Sequence, residues 1–200
     1  MPLQEVIVLY EDSAAIRPED FGPHRLLVAC VHDNIDGDIL SPRKSPLQGR
    51  PLNGDGKVYK ACMEDLEDIA SRGQKVIAVI DGDKAARLAG LSKDAKECDI
   101  KKKLLETFGN PGNLEVAIIY KNIESLIEAA KECDDTIGLE HVRNALNKVA
   151  RGKGRNSRDI ILKGIATSSK KAIRDCVMEK VVSFKNLVSA AIRLLNINRS

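Results

Sequence analysis

The sequence predicts an α/β fold in which a mostly parallel, four-stranded sheet is flanked by helices and followed by a C-terminal helical extension. Three observations lead to this prediction. Four short apolar runs, rich in β-branched residues, are separated by stretches with helical periodicity. The runs are continuously apolar, which is typical of strands that helices cover on both faces. The last third of the chain has helical periodicity throughout.

The four strands are predicted in the first two-thirds of the chain, at residues 5–10, 25–32, 76–80 and 114–120. The segment 34–56 carries four Gly and three Pro and shows little periodicity. It is therefore predicted to be a long loop, and loops of this length often have a function.

Helices are predicted between and after these strands. Residues 57–72 form one helix that Gly73 ends, with an apolar stripe made by Val58, Cys62, Leu66 and Ile69. Residues 84–108 form one broken helix or two, with Leu104, Leu105 and Phe108 in the core, and residues 123–133 form another with Asn122 as its N-cap.

The last third carries four apolar stripes, within residues 139–149, 160–165, 173–181 and 187–195, and Ser183 could cap the last of these helices. The predicted domains are an α/β domain over residues 1–136 and a basic helical extension over residues 137–200 that packs on it.

Composition excludes several classes of protein. With 200 residues, 43% of them hydrophobic and 30% charged, the chain can bury an ordinary globular core. Its apolar runs are too short to cross a bilayer, and the first residues do not resemble a signal peptide. The five cysteines include no C-x-x-C pair, so a reduced, cytoplasmic protein is expected rather than a zinc ribbon or a disulfide scaffold.

The net charge of +3 conceals a division along the chain. Residues 143–200 hold 14 Lys and Arg against 3 Asp and Glu, a net charge of +11, whereas residues 1–142 have a net charge of −8. This division predicts a basic surface for a polyanion beside an acidic body that could hold a cation.

Acidic residues follow the predicted strands. They are Glu11 and Asp12 after the first strand, Asp33 after the second, Asp81 and Asp83 after the third, and Glu124 at the start of the helix after the fourth. Parallel strands bring their carboxyl ends to one edge of a sheet, where open α/β proteins bind ligands. Carboxylates at that edge favour Mg²⁺, which takes oxygen ligands and substrate phosphate. The simpler alternative is that these residues form turns and stabilise helix N-termini.

A strand that ends in Glu, a later strand that ends in Asp-x-Asp and a final strand that leads into an acidic helix resemble the Toprim domain. The resembling segments are residues 6–11, 76–83 and 116–124. Topoisomerases, primases, overcoming-lysogenization-defect nucleases and small bacterial Toprim-like proteins share this Rossmannoid domain. The resemblance implies that Asp81 and Asp83 bind Mg²⁺ or Mn²⁺ and that Glu11 is a general acid/base or a further ligand. Asp12 and Glu124 would be supporting acids.

The resemblance and the length together predict a nuclease. A topoisomerase needs a tyrosine nucleophile on a separate large domain and a primase needs nucleotide-handling domains, and the chain has room for neither. Metal-assisted phosphodiester hydrolysis needs only the cation, an activated water and a track for the nucleic acid. The layout also resembles small Toprim-like proteins found near phage-defence genes, which implies a role in phage defence and a protein partner from a defence system.

Two alternatives remain open from the sequence. Asp12 stands where Toprim proteins usually carry Gly, which favours a non-catalytic binding protein of a multi-protein defence or toxin system. Asp81 and Asp83 after an apolar strand also resemble the phosphotransferase site of haloacid-dehalogenase phosphatases.

The basic part of the chain could neutralise phosphates. The predicted contacts are Lys148, Arg151, Lys153, Arg155, Arg158, Lys170, Lys171 and Arg174. Because Phe184 is the only aromatic residue of residues 143–200, stacking on single-stranded bases is not expected, and duplex DNA or structured RNA is the predicted partner. The alternative is a solvated helix face that aids solubility.

Overall fold

The protein contains a parallel sheet of four strands, three of which are short apolar runs, and this confirms the predicted fold class. The computed structural model describes residues 4–11, 21–35, 45–52, 56–119, 124–137, 154–169 and 171–195, without the side chains of residues 124, 134–137, 154–158 and 160. The strands are β1 (Val6–Tyr10), β2 (Leu47–Pro51), β3 (Lys75–Asp81) and β4 (Leu114–Ile119), and each pairs in parallel with its neighbours.

The strand order places a crevice at the carboxyl ends of β1 and β3. The order in the sheet is β2-β1-β3-β4. Val6 of β1 is level with Leu47 on one side and with Lys75 on the other. From β1 the chain moves outward to β2 and then crosses back to β3. In open α/β sheets, ligands bind where the strand order reverses in this way.

Helices cover both faces of the sheet. In chain order, those in the described residues are α1 (Gly22–Asp33), α2 (Lys57–Glu64), α3 (Leu66–Ser71), α4 (Gly82–Leu88), α5 (Glu97–Thr107), α6 (Glu124–Ile137), α7 (Gly154–Thr167), α8 (Lys171–Lys180) and α9 (Val182–Leu194).

The two faces of the sheet have separate hydrophobic cores. Val6, Val8 and Tyr10 of β1 pack with α1 and with α6 to α9, whereas Ile7 and Leu9 pack with α2 to α5. All five residues of β1 are buried, as expected for a central strand that helices cover on both sides. The C-terminal helices therefore share a core with the sheet and do not form a second core of their own.

The predicted second strand is wrong. Residues 25–32 lie in α1, and β2 falls instead inside segment 34–56, which was predicted to be a loop. The apolar residues of α1 are spaced for a helix: Leu26, Leu27, Cys30 and Val31 lie on one buried face. Pro23 in the first turn also favours a helix start.

Strand β2 carries almost no apolar signal, because only one of its faces packs on the protein. Leu47 and Gly49 are buried, whereas Gln48 and Arg50 are exposed. It is an edge strand, with β1 as its neighbour in the sheet. Edge strands tolerate the glycine, proline and charged residues that a central strand excludes.

The other helix predictions hold with local changes. The segment 57–72 forms two helices, α2 and α3, which meet at Asp65, and the predicted stripe on it is buried. Gly73 ends the second of them with a left-handed backbone (φ 69°). The segment 84–108 also forms two helices, α4 and α5, within which Leu104 is buried.

The predicted helices of the last third are confirmed where the structure describes them. The stripe within residues 139–149 and the predicted cap Asn122 lie outside the described residues. Ser183 lies inside α9, whose N-cap is Val181. The structure also brings α7 against the start of α1, where Asp159 accepts a hydrogen bond from the backbone N–H of Gly22 (2.8 Å).

A disulfide connects α6 to α8, contrary to the expectation of a fully reduced protein. Cys133 and Cys176 are bonded, with their Cα atoms 6.0 Å apart. Cys30 and Cys62 are free and buried, and Cys98 is free and exposed. The two bonded cysteines are separated by 43 residues, so no local spacing motif reveals their pairing.

Within the described part of the chain, helices of sufficient length and apolar character to span a bilayer are absent.

Candidate functional site

Glu11 and Asp81 meet at the carboxyl edge of the sheet, where the strand order reverses. Glu11 directly follows β1, and Asp81 is the last residue of β3. The two strands are neighbours and Tyr10 is level with Val79, so Glu11 and Asp81 are one residue apart in register at the ends of adjacent strands. The ammonium of Lys84 lies between them, 3.6 Å from Asp81 Oδ2 and 4.0 Å from Glu11 Oε2.

Glu11 is a buried carboxylate with incomplete hydrogen bonding. Its side chain is 3% exposed. Oε1 accepts a hydrogen bond from the backbone N–H of Gly56 (3.2 Å), whereas Oε2 has no hydrogen-bond partner in the described structure. A buried oxygen without a partner costs free energy and is therefore a position where a ligand would be stabilised.

Burial raises the pKa of Glu11, and the neighbouring charge of Asp81 raises it further. The ammonium of Lys84 and the backbone N–H groups of Gly56 and Asp81 oppose that rise. The Glu11 carboxyl thus holds a proton more readily than an exposed glutamate does.

Gly56 comes to the site from the end of segment 34–56. It precedes α2 with a left-handed backbone (φ 74°), a conformation that residues with a Cβ rarely adopt. This conformation accompanies the hydrogen bond from its N–H to Glu11.

Asp81 is the more accessible of the two acids, with 26% of its side chain exposed. It occupies the N-cap position of α4, yet its side chain makes no capping hydrogen bond there. Helix capping therefore does not account for this carboxylate, which pairs with Lys84 instead.

Asp83 is exposed in the first turn of α4, where an acid favours the helix dipole. Across the described residues, no three His, Cys, Asp or Glu side chains are arranged to hold a metal ion. Of the three predicted ligands, then, the structure places Glu11 and Asp81 together around Lys84 and leaves Asp83 in solvent.

Two carboxylates are nevertheless a usual set for Mg²⁺, which keeps several waters and adds substrate phosphate. Glu11 Oε2, which accepts no hydrogen bond from the described residues, fits such a site beside Asp81, and Lys84 supplies positive charge at the position that the cation would take.

Asp33 does not belong to this edge, which corrects its predicted position. It ends α1, and both its oxygens accept from the guanidinium of Arg174, Oδ1 at 3.1 Å. Arg174 is 6% exposed and also donates to the backbone carbonyls of Ile165 and Ser168. Its guanidinium holds α8 against α1 and α7, so it is corrected from a nucleic-acid contact to a structural residue.

Most of the other predicted supporting and basic residues lie outside the described part of the chain. Asp12, Lys148, Arg151, Lys153 and Lys170 lie outside the described residues, as do the side chains of Glu124, Arg155 and Arg158. Glu124 begins α6, and Arg155 and Arg158 lie in α7. Lys171 is exposed and donates to the carbonyl of Asp33 (2.8 Å).

Tyr10, which precedes Glu11 in the chain, makes a buried polar contact with His24 that was not predicted. The hydroxyl of Tyr10 contacts Nδ1 of His24 at 3.1 Å, and Nε2 of His24 contacts the carbonyl of Leu47 at 3.3 Å. Because a carbonyl only accepts, Nε2 carries the proton and Nδ1 accepts from Tyr10. Burial lowers the pKa of His24 to about 4. His24 is thus a hydrogen-bonded core residue.

Sequence reasoning missed Lys84, although a signal for it was present. A lysine three residues after an acid that starts a helix lies one turn away on the same side. No pattern in the sequence signals Gly56, because its contact with Glu11 spans 45 residues.

Comparison with known proteins identifies no relative. None of the family models, curated proteins or solved structures compared with the chain matches it.

Proposed function

We propose that this protein is a Mg²⁺-dependent nuclease that hydrolyses phosphodiester bonds of nucleic acid. One observation carries the proposal: the buried Oε2 of Glu11 has no hydrogen-bond partner among the described residues and lies, with Asp81 and Lys84, at the edge of the sheet where the strand order reverses. A buried acid with a raised pKa at such an edge is a candidate for a functional carboxylate.

Glu11 and Asp81 would hold the cation, which would polarise a phosphoryl oxygen and lower the pKa of a bound water. Asp83 is exposed in the first turn of α4. It would bind a water molecule of the cation's hydration shell and not the cation itself. If Asp81 holds the cation without Glu11, the Glu11 carboxyl would instead exchange a proton with the attacking water, a role that its raised pKa suits. Lys84, displaced from the carboxylates, would bind a phosphate oxygen of the substrate. The role in phage defence has the Toprim resemblance as its only support.

A second candidate is a non-catalytic protein of the same fold that binds nucleic acid or a partner protein. The observation that favours it is Lys84, which already neutralises both carboxylates and removes much of the need for a metal ion. The exposed position of Asp83 points the same way.

Cleavage by an Asp81→Asn variant tests the first candidate. Purified protein with Mg²⁺ or Mn²⁺ is expected to nick supercoiled plasmid or cut a structured RNA. The variant should lose this activity by roughly 100-fold or more, the scale of losing one group that stabilises charge in the transition state. Its melting temperature should stay close to that of the wild type, because losing the ion pair with Lys84 is offset by losing the repulsion between Asp81 and Glu11.

Asp65→Asn is a matched control, since it makes the same chemical change at an exposed acid that caps no helix by its side chain. Equal cleavage by the Asp81→Asn variant and the wild type would contradict the metal site. Salt-sensitive binding without any cleavage would establish the second candidate instead.

A further inference from the structure

A basic stretch of chain begins at the candidate site. Residues 84–103 contain seven Lys and Arg against three Asp and Glu, a net charge of +4, although residues 1–142 as a whole have a net charge of −8. This stretch covers most of α4, the connection to α5 and the first half of α5. It lies outside the basic segment formed by residues 143–200.

Four of these basic side chains are exposed and have no acidic partner within the described residues: Arg87, Lys93, Lys96 and Lys102. We call them the α4–α5 basic surface. Lys101 and Lys103 differ, because they pair with Glu97 at 2.5 Å and with Glu106 at 3.4 Å. The four charges are therefore hydrated and able to exchange water for an anionic ligand.

The surface is continuous with the site along the chain. Helix α4 starts immediately after Asp81, and Arg87 lies about 5 Å, one helical turn, beyond Lys84. Helices α4 and α5 pack on the same face of the sheet, against β3 and β4. A ligand that contacts α4 is thus already beside the end of β3, where Asp81 lies.

The chemistry of this surface favours a duplex phosphate backbone over a single strand or an anionic membrane. Residues 84–103 contain no aromatic residue, so bases of a single strand have nothing to stack on. The large apolar side chains that are exposed in the described residues, Met63 and Val182, lie elsewhere. A helix that binds an anionic membrane inserts apolar side chains, and this surface offers none.

We propose that the α4–α5 basic surface binds the phosphate backbone of duplex nucleic acid and brings it to Glu11 and Asp81. The delivery to the site rests on the proposed nuclease function; the binding itself does not.

Binding of a fluorescent DNA duplex of about 20 base pairs, measured by anisotropy between about 50 and 200 mM salt, tests this proposal. EDTA in the buffer prevents metal-dependent cleavage. The variant Lys93→Ala with Lys96→Ala should bind roughly 10- to 100-fold more weakly, and its slope of log K against log salt should be shallower by about 2. Both side chains are exposed, so the melting temperature should not change.

Lys131→Ala with Lys185→Ala is the matched control. It removes the same charge from two exposed lysines on α6 and α9, across the sheet. This control should keep the wild-type affinity and slope. Equal weakening by both double variants would reduce the effect to net charge and overturn the proposal, and so would unchanged binding by the Lys93 and Lys96 variant.

Three further outcomes identify the partner and separate binding from cleavage. If the protein binds vesicles rich in phosphatidylserine through Lys93 and Lys96 but does not bind the duplex, the ligand of this surface is a membrane and not nucleic acid. If Asp81→Asn keeps full duplex binding and the wild type never cleaves, the surface stands and the nuclease proposal fails. If cleavage is present but insensitive to Lys93 and Lys96, the nuclease stands and the delivery of nucleic acid by this surface is overturned.

Discussion

At the scale of single residues, Lys84 and a divalent cation would compete for the same place between Glu11 and Asp81. The ammonium is within 4.0 Å of both carboxylates. Without its positive charge, a carboxylate that is 3% exposed would lie beside a second carboxylate with little to offset their repulsion.

The variant Lys84→Gln should therefore make the stability of the fold depend on a divalent ion. Without a divalent ion, the free energy of unfolding should fall by roughly 1–2 kcal/mol, since a partly buried ion pair loses one partner. Mn²⁺ should then raise the melting temperature more in this variant than in the wild type. Thermal unfolding with and without Mn²⁺ measures both effects.

Lys60→Gln is the control, because Lys60 also pairs with an acid, Glu64, but both side chains are mostly exposed. Its response to Mn²⁺ should equal that of the wild type. A Lys84→Gln variant that gains no stabilisation from Mn²⁺ would show that Glu11 and Asp81 do not bind the ion.

The residue types at the site could be predicted, but only part of their arrangement. Glu11 and Asp81 directly follow apolar runs that are strands, and parallel strands bring such residues together. Asp33 was misplaced because the run before it is a helix, and Arg174 because charge alone does not reveal a buried ion pair.

At the scale of elements, the second strand was predicted at residues 25–32, which form α1, and the true strand β2 was missed, for two physical reasons. A short buried helix and a buried strand are both apolar runs, and 25–32 is rich in Leu and Val. An edge strand that packs only Leu47 and Gly49 on the protein has a weak hydrophobic pattern. Strand β2 pairs with β1, and its contact with α1 requires glycine, because a Cβ at Gly49 would lie 2.5 Å from the ring of His24.

The contact among β1, α1 and β2 should make stability depend on pH. The pKa of His24 is about 4 in the folded protein against 6.5 for an ordinary histidine. Below pH 6.5 the unfolded chain binds the proton first, so the free energy of unfolding should decrease as the pH falls towards 4 and level off below. The full loss is about 3 kcal/mol. Urea unfolding across this range measures it.

The variant His24→Gln isolates this contribution, because an amide can still donate to the carbonyl of Leu47 but does not titrate. The wild type should lose its stability advantage over the variant between pH 6.5 and pH 4. A constant difference between the two proteins across this range would contradict the assignment of the pH dependence to His24.

At the scale of the whole molecule, the C-terminal helices complete the fold. Helices α6 to α9 form one core with α1 and one face of the sheet, and the disulfide joins α6 to α8. A covalent link that closes 43 residues restricts the unfolded chain, which stabilises the folded state by about 3–4 kcal/mol.

Cys176→Ser should lower the free energy of unfolding by about that amount, and a reductant should lower the melting temperature of the wild type in the same direction. Cys98→Ser changes an exposed free thiol and should have no effect. Titration of the unfolded, unreduced protein should find three free thiols, rising to five after reduction. Five free thiols before reduction would contradict the disulfide.

The sequence by itself determined the fold class, three of the four strands, most of the helices and the two carboxylates at the sheet edge. These features depend on local patterns: the period of apolar residues, glycine stops and the residue that follows a strand. Tertiary structure alone decided the edge strand β2, the contacts of Gly56 and Arg174, the Cys133–Cys176 bond and the shared C-terminal core. Each of these joins residues far apart in the chain, where packing and buried charge choose the partner and no local pattern records it.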